Sequence, residues 1–170
     1  IRDGVVLAET RRRFGFRSLR AQSEALLLND HPYGVRGILS WGWNPYTLAP
    51  VATDDEIRDE FRRVRALGFN LIKLCLFVPP ERLFEIADEE GMLLWLELPM
   101  WWQRINDYLR GQAPREYRDI LRRVHHHPSI VIYSLGCELG IDMADAALLG
   151  ELNAIVRGGT TGVLACDNSG

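Results

Sequence analysis

The sequence predicts an α/β fold, a partial (β/α)8 TIM barrel comprising strands one to five with their helices. Three observations lead there. Near-continuous apolar segments alternate with amphipathic ones along residues 34–170, the pattern of parallel strands covered by helices. The stretch "GILSWGW" (37–43) lacks the G-x-G-x-x-G spacing of a phosphate-cradling loop and leads into a loop rather than a helix, which argues against a doubly wound nucleotide-binding sheet. The strand ends carry Trp41, Lys73, Glu97, Glu138 and Asp167, a polar and aromatic set at the place where a barrel keeps its chemistry.

The elements follow in order. Residues 4–19, "GVVLAETRRRFGFRSL", alternate as a β-hairpin would, so residues 1–33 read as the tail of a preceding β-rich domain and its linker. "GVRGILSW" (34–41) reads as the first barrel strand. In "TDDEIRDEFRRVRALG" (53–68), Thr53 and Glu56 have capping-box spacing. Ile57, Phe61, Val64 and Leu67 fall on one helical face, and Gly68 suits a C-terminal cap. "FNLIKLCLFV" (69–78) is the second strand. Pro80 opens a helix that Gly91 closes. "MLLWLELP" (92–99) is the third strand, with Trp95 in its middle read as core.

A long loop, "MWWQRINDYLRGQA", is expected before a third helix from about Pro114 to His126, with Tyr117, Ile120, Leu121 and Val124 as its apolar stripe. "SIVIYSLG" (129–136) is the fourth strand. A helix from about Ala144 to Arg157 and a fifth strand, "GVLACDN" (162–168), complete the series. A whole barrel takes about 250 residues, so the chain reads as an excerpt of a longer protein: residues 34–170 hold five of eight units.

Composition narrows the function classes. The formal net charge of −3 leaves no electrostatic footprint for nucleic acid, and Arg11, Arg12 and Arg13 read as a solvated basic turn. No stretch approaches the ~18 apolar residues of a membrane span. Cys75, Cys137 and Cys166 lie far apart without zinc or disulfide spacing, although two of them could still pair in space. His125, His126 and His127 are consecutive; on a helix they would point apart, which speaks against a metal site. Neither a metal nor a cofactor is expected.

Glu138 follows directly on an apolar strand. Spacing alone leaves two readings: a strand-end glutamate in solvent or a salt bridge, or a general acid/base whose proton affinity is raised by shielding from water. Strand parity groups Ile132, Ser134, Gly136 and Glu138 on one face, where small Ser134 and Gly136 leave room for a pocket floor.

"HPSIVIYSLGCE" (127–138) resembles the acid/base motif of glycoside hydrolase family 2, H-P-S-(apolar)3-W-S-x-G-N-E. "FGFR" (14–17), "LLLNDHPYGVRGI" (26–38), "DEFRRVRALGFNLIK" (59–73) and "LFEIADEEGMLLWLELP" (83–99) resemble that family's successive blocks in order. The resemblance implies a (β/α)8 barrel behind β-sandwich domains and retaining hydrolysis of terminal sugars, of β-galactosidase, β-glucuronidase or β-mannosidase type. Glu138 is then the acid/base, and the nucleophile lies on a seventh strand beyond this chain. Glu97 matches the family's E-x-P block, which implies a supporting or substrate-contacting role; the alternative is a structural hydrogen-bond partner near the barrel rim.

Several positions depart from the family. Cys137 stands where the family has the asparagine that bonds the sugar 2-hydroxyl, and a thiol is a poor substitute. Lys73 stands for an arginine, keeping the charge and losing the fork; the family's nearby histidine is absent. Trp41, Trp101 and Trp102 are candidates for sugar stacking, and Asp167 for a further contact. The partner implied is a carbohydrate, with neither nucleic acid nor membrane; homo-oligomerisation of the full-length protein is compatible with it. The alternative reading is a non-catalytic carbohydrate-binding barrel derived from such an enzyme.

Overall fold

The computed structural model describes residues 8–9, 11–50, 52–102, 104–140 and 145–169. In chain order the elements are β1 (Leu19–Gln22), β2 (Ala25–Leu28), β3 (His31–Pro32), β4 (Gly37–Ser40), α1 (Asp54–Ala66), β5 (Leu71–Leu74), α2 (Glu81–Glu90), β6 (Leu93–Glu97), α3 (Asp107–Val124), β7 (Ile130–Ser134), α4 (Ala146–Gly159) and β8 (Leu164–Cys166). Strands β4-β5-β6-β7-β8 pair in sequence order, every pair parallel. A doubly wound sheet reverses its strand order at a switch point; a barrel does not. The sheet has the topology of a partial TIM barrel.

The helices form where local chemistry caps them. Thr53 Oγ1 accepts from the Glu56 amide at 3.3 Å while Glu56 Oε2 accepts from the Thr53 amide at 2.7 Å, the reciprocal capping box. Helix α2 ends on Gly91 at φ +67, a left-handed position that glycine takes without a Cβ penalty. Asp145 caps α4 through the amides of Ala147 and Leu148; the expected start near Ala144 lies outside the described residues. Two expectations are corrected. Leu67 is the C-cap of α1 and is exposed rather than on the apolar face. Helix α3 begins at Asp107, capped by Asn106 Oδ1 on the Leu109 amide at 2.9 Å, so Pro114 lies inside the helix. Proline there removes one backbone hydrogen bond, and its ring is buried beside Ala113 and Tyr117, within the helix's inward face.

One core layer lies between sheet and helices. Ile72, Leu74, Leu94, Leu96, Ile130 and Tyr133 point outward from the strands onto Phe61, Phe84, Leu121, Leu152 and Val156 of the helices, each buried large side chain contributing about 1.5–3 kcal/mol. The inner face carries a second, smaller cluster of Leu19, Leu71, Val131 and Ile132, with Trp95 half-buried against it. Val131 is an extra residue: Leu94 pairs with Ile130 but Trp95 with Ile132, a bulge that re-aims β7.

The expected hairpin over residues 4–19 lies partly outside the described residues, which omit 1–7 and 10. Among the described residues no strand precedes Leu19, and the hairpin is β1-β2, extended by β3. This small sheet sits against the N-terminal ends of the barrel strands. The Leu19 amide donates to Gly162 O at 2.8 Å, and Arg17 reaches the carbonyls of Pro128, Ile130, Thr161 and Gly162. The turn between β1 and β2 lies at Ser23, in the left-handed region at φ +53.

Candidate active site

The C-terminal ends of β5 to β8 form the site. Beyond the regular strands the ladder continues as single bridges, Trp101 to Cys137 and Cys137 to Ser169, both parallel. The Cys137 amide donates to Met100 O at 2.9 Å and the Ser169 amide to Gly136 O at 3.2 Å. A Cβ on Gly136 would lie 2.6 Å from Met100 O. The glycine is therefore needed for the backbones to approach, not for a pocket floor as parity suggested. The chain leaves the sheet through left-handed residues at four successive strand ends: Gly42 at φ +71, Leu76 at +59, Trp102 at +45 and Glu138 at +50. Non-glycine residues there cost about 1–3 kcal/mol each, strain that clusters at functional sites.

Glu138 follows β7 and projects from this strained position. Its Oε2 accepts from Trp101 Nε1 at 2.8 Å. Asn168 holds the next residue from both sides, its Oδ1 accepting from the Leu139 amide at 2.9 Å and its Nδ2 donating to Leu139 O at 3.4 Å. The expectation that Glu138 is shielded from water is corrected: the residue is exposed. Strands β4 and β8 are the edges of the five-stranded sheet, so among the described residues no opposite wall covers the inner face.

Glu97, at the end of β6, is fully buried. Its Oε1 pairs with Lys73 Nζ at 2.9 Å and accepts from Ser134 Oγ at 3.2 Å and from Ser169 Oγ. Lys73 Nζ also donates to Ser169 Oγ at 2.6 Å and lies 5.0 Å from the centre of the Trp95 ring. Burial pushes the Glu97 carboxyl up, but Ser169, the Cys75 thiol and Lys73 together hold it below the ordinary glutamate value. Glu97 therefore stays ionised, and Lys73 keeps the pair neutral.

The remaining predicted residues fall in two groups. Cys137 is buried beside Glu97, and its thiol is pushed up by burial and then by the Glu97 charge. Trp41, Trp101 and Trp102 are large exposed rings, 50%, 48% and 65% accessible, on the loops that follow β4 and β6. Asp167 is exposed at the end of β8, with no hydrogen bond into the cluster among the described residues. Sequence reasoning missed Trp95, Ser134 as a hydrogen-bond partner, Ser169 and Cys75. Trp95 was legible: it shares Glu97's face by strand parity, and its indole donates to Ser134 Oγ at 3.0 Å. Ser169 lies in a loop with no signal.

Two groups of metal-type donors converge among the described residues. Cys75, Glu97 and Cys137 each bring a ligand atom within 4.8 Å of the others, and so do Glu81, His126 and His127. The second corrects the argument from helical spacing. Helix α3 ends at Val124, so His126 and His127 lie in the turn beyond it, with ring centres 4.1 Å apart. His127 Nδ1 is 2.6 Å from Asp88 Oδ2.

No protein-family model matches the chain. It is 29% identical over 138 residues to a β-galactosidase of Leuconostoc mesenteroides, covering 76% of this chain and 13% of that relative. The β-glucuronidase structure of Parabacteroides merdae superposes with a TM-score of 0.77 at 25% identity, covering 91% of this chain and 21% of that one. A family 2 β-galacturonidase of Eisenbergiella tayi, bound to galacturonate, superposes with a TM-score of 0.72 at 21% identity over 87% of this chain and 27% of that one, a likeness of fold. The chain thus spans a small part of the relatives it matches. In sequence and fold it is similar to glycosidases of the family 2 type, as its motifs implied.

Proposed function

We propose that this chain is the first part of the catalytic barrel of a retaining glycosidase that acts on O-glycosyl bonds, with Glu138 as general acid/base. The observation that carries the reading is the Glu138 carboxyl at the C-terminal end of a parallel strand, tied by one oxygen to Trp101, in a chain similar to β-galactosidases and β-glucuronidases. The second oxygen, with no hydrogen bond among the described residues, can carry a proton to the glycosidic oxygen and later take one from water. Glu97 is unsuited to that exchange, being buried and held ionised by Lys73. Its part is to anchor Lys73, Ser134 and Ser169 as a rigid polar floor.

The partner is a carbohydrate, for which the exposed rings of Trp41, Trp101 and Trp102 offer stacking surfaces. Retention needs a second carboxylate about 5–5.5 Å from the first, to be supplied by a later strand of the full-length protein. In this reading residues 1–33 are the tail and linker of a preceding β-rich domain and residues 34–170 are barrel.

Glu138→Gln in the full-length protein tests the role. Turnover of sugars with poor leaving groups should fall by about 10²–10⁴, while activated aryl glycosides, whose leaving group needs little protonation, should suffer less in the glycosylation step. Equal turnover by variant and parent on both substrates would remove Glu138 from the chemistry. Undiminished sugar binding with no turnover in the parent protein would favour a carbohydrate-binding barrel instead.

A further inference from the structure

Glu97 has unequal oxygens. Oε1 is crowded by Lys73, Ser134 and Ser169, whereas Oε2 is buried and accepts no well-formed hydrogen bond among the described residues. A buried oxygen left this way is costly and calls for an explanation such as a water or an ion. Two thiols lie beside the carboxylate. Cys75 follows β5 and is 2% exposed, Cys137 follows β7 and is 8% exposed, and one Sγ from each lies within 4.8 Å of the other and of a Glu97 oxygen.

We propose that Cys75, Cys137 and Glu97 form a site for a thiophilic divalent cation of the zinc class, at the C-terminal ends of β5, β6 and β7. Two sulfurs and one carboxylate oxygen are three protein ligands of the types zinc takes, leaving a fourth position for water. Calcium and magnesium prefer oxygen donors, so the thiols select against them. Each thiol gives its proton to solvent as its sulfur bonds the ion. The dication then replaces two protons, and with Lys73 and Glu97 already paired the cluster's total charge is unchanged.

The frame is rigid. The Cys75 amide donates to Ser40 O and the Cys137 amide to Met100 O, each at 2.9 Å. The bonds on Glu97 Oε1 orient the carboxylate as an outer shell orients a metal ligand. Sulfurs 2.3 Å from a tetrahedral ion are roughly 3.8 Å apart, so closure from within 4.8 Å requires small side-chain rotations. The inference does not depend on the glycosidase reading. It also gives Cys137, which stands where the resembled family has asparagine, a chemistry of its own.

The test is zinc retention by the full-length protein, prepared reduced, in equilibrium dialysis. One ion per chain is expected. Cys75→Ser and Cys137→Ser should each weaken retention by more than roughly a hundredfold, since losing only an outer-shell partner costs about 10–100-fold. Cys166→Ser should change nothing, because Cys166 is turned to Tyr133 O at 3.6 Å. A second measurement needs no variant: zinc should protect Cys75 and Cys137, and not Cys166, from alkylation by iodoacetamide, read by peptide mass. No retained zinc, or alkylation of Cys75 and Cys137 at unchanged rates, overturns the site. Retention lost in His126→Ala but kept in both cysteine variants overturns it too, by placing the ion at Glu81, His126 and His127.

Discussion

Replacing Lys73 by Met tests how the floor of the site is held. Lys73 Nζ lies 2.9 Å from Glu97 Oε1, with the lysine side chain 15% exposed and the glutamate 0%. Methionine fills much the same volume but removes the cation. The carboxylate is left with neutral donors only, and breaking a buried pair on one side costs about 3–5 kcal/mol. Ser134 and Ser169 still reach Oε1, which places the expected loss near the low end, about 3 kcal/mol, or roughly a hundredfold in the folding equilibrium.

The pH dependence fixes the cause. In the parent protein the Glu97 carboxyl lies below its ordinary value. It therefore contributes stability that is fully present above the unfolded-state value of about 4.3 and lost as pH falls through the folded value. Without Lys73 the cost of an unpaired buried charge dominates, and the carboxyl rises. The destabilisation should then be largest near neutral pH and shrink as acid protonates Glu97. Urea unfolding of parent and Lys73→Met at neutral pH and near pH 4.5 measures it. The double variant Lys73→Met with Glu97→Gln should recover part of the loss at neutral pH. A loss below about 1 kcal/mol, or one independent of pH, would refute the buried-pair account.

Other outcomes follow from single contacts. Gly136→Ala drives a Cβ to 2.6 Å from Met100 O and should cost more than about 2 kcal/mol. Gly111→Ala, in α3 with nothing within 4 Å of the added carbon, should stabilise by about 0.4–1 kcal/mol; thermal melts of the two variants should move in opposite directions. Thr53→Ala removes the α1 cap and should cost about 1 kcal/mol in chemical denaturation. If Glu138 acts as proposed, Trp101→Phe keeps an aromatic face but loses the indole N–H bond at 2.8 Å, and kcat on poor leaving groups should fall about tenfold with KM changed far less.

Much of the fold is local and was legible. Ile57, Phe61 and Val64 repeat at helical spacing, Thr53 and Glu56 spell a capping box, and Gly91 ends α2; all three are written in neighbouring residues and recur in the structure. Where two local signals competed, reading failed. Pro114 looked like a first-turn proline, yet Asn106 caps the same helix two turns earlier, and burial of the inward face of α3 outweighs the lost hydrogen bond. The exposure of Glu138 was not legible either, because it depends on which walls surround the inner face.

The sequence by itself determined the alternation of strand and helix, the caps, the strand ends where polar residues gather, and the likeness to family 2 glycosidases. Only the tertiary structure decided which of those residues meet. Lys73, Glu97, Ser134 and Ser169 come from β5, β6, β7 and the segment after β8. Cys75 and Cys137, just beyond β5 and β7, are 62 positions apart (137 − 75) and meet in the same way. The reason is physical: period and capping act between residues a few positions apart, whereas neighbours across a parallel sheet are set by register and by crossover helices, whose lengths carry no residue-level signal of which side chains will touch.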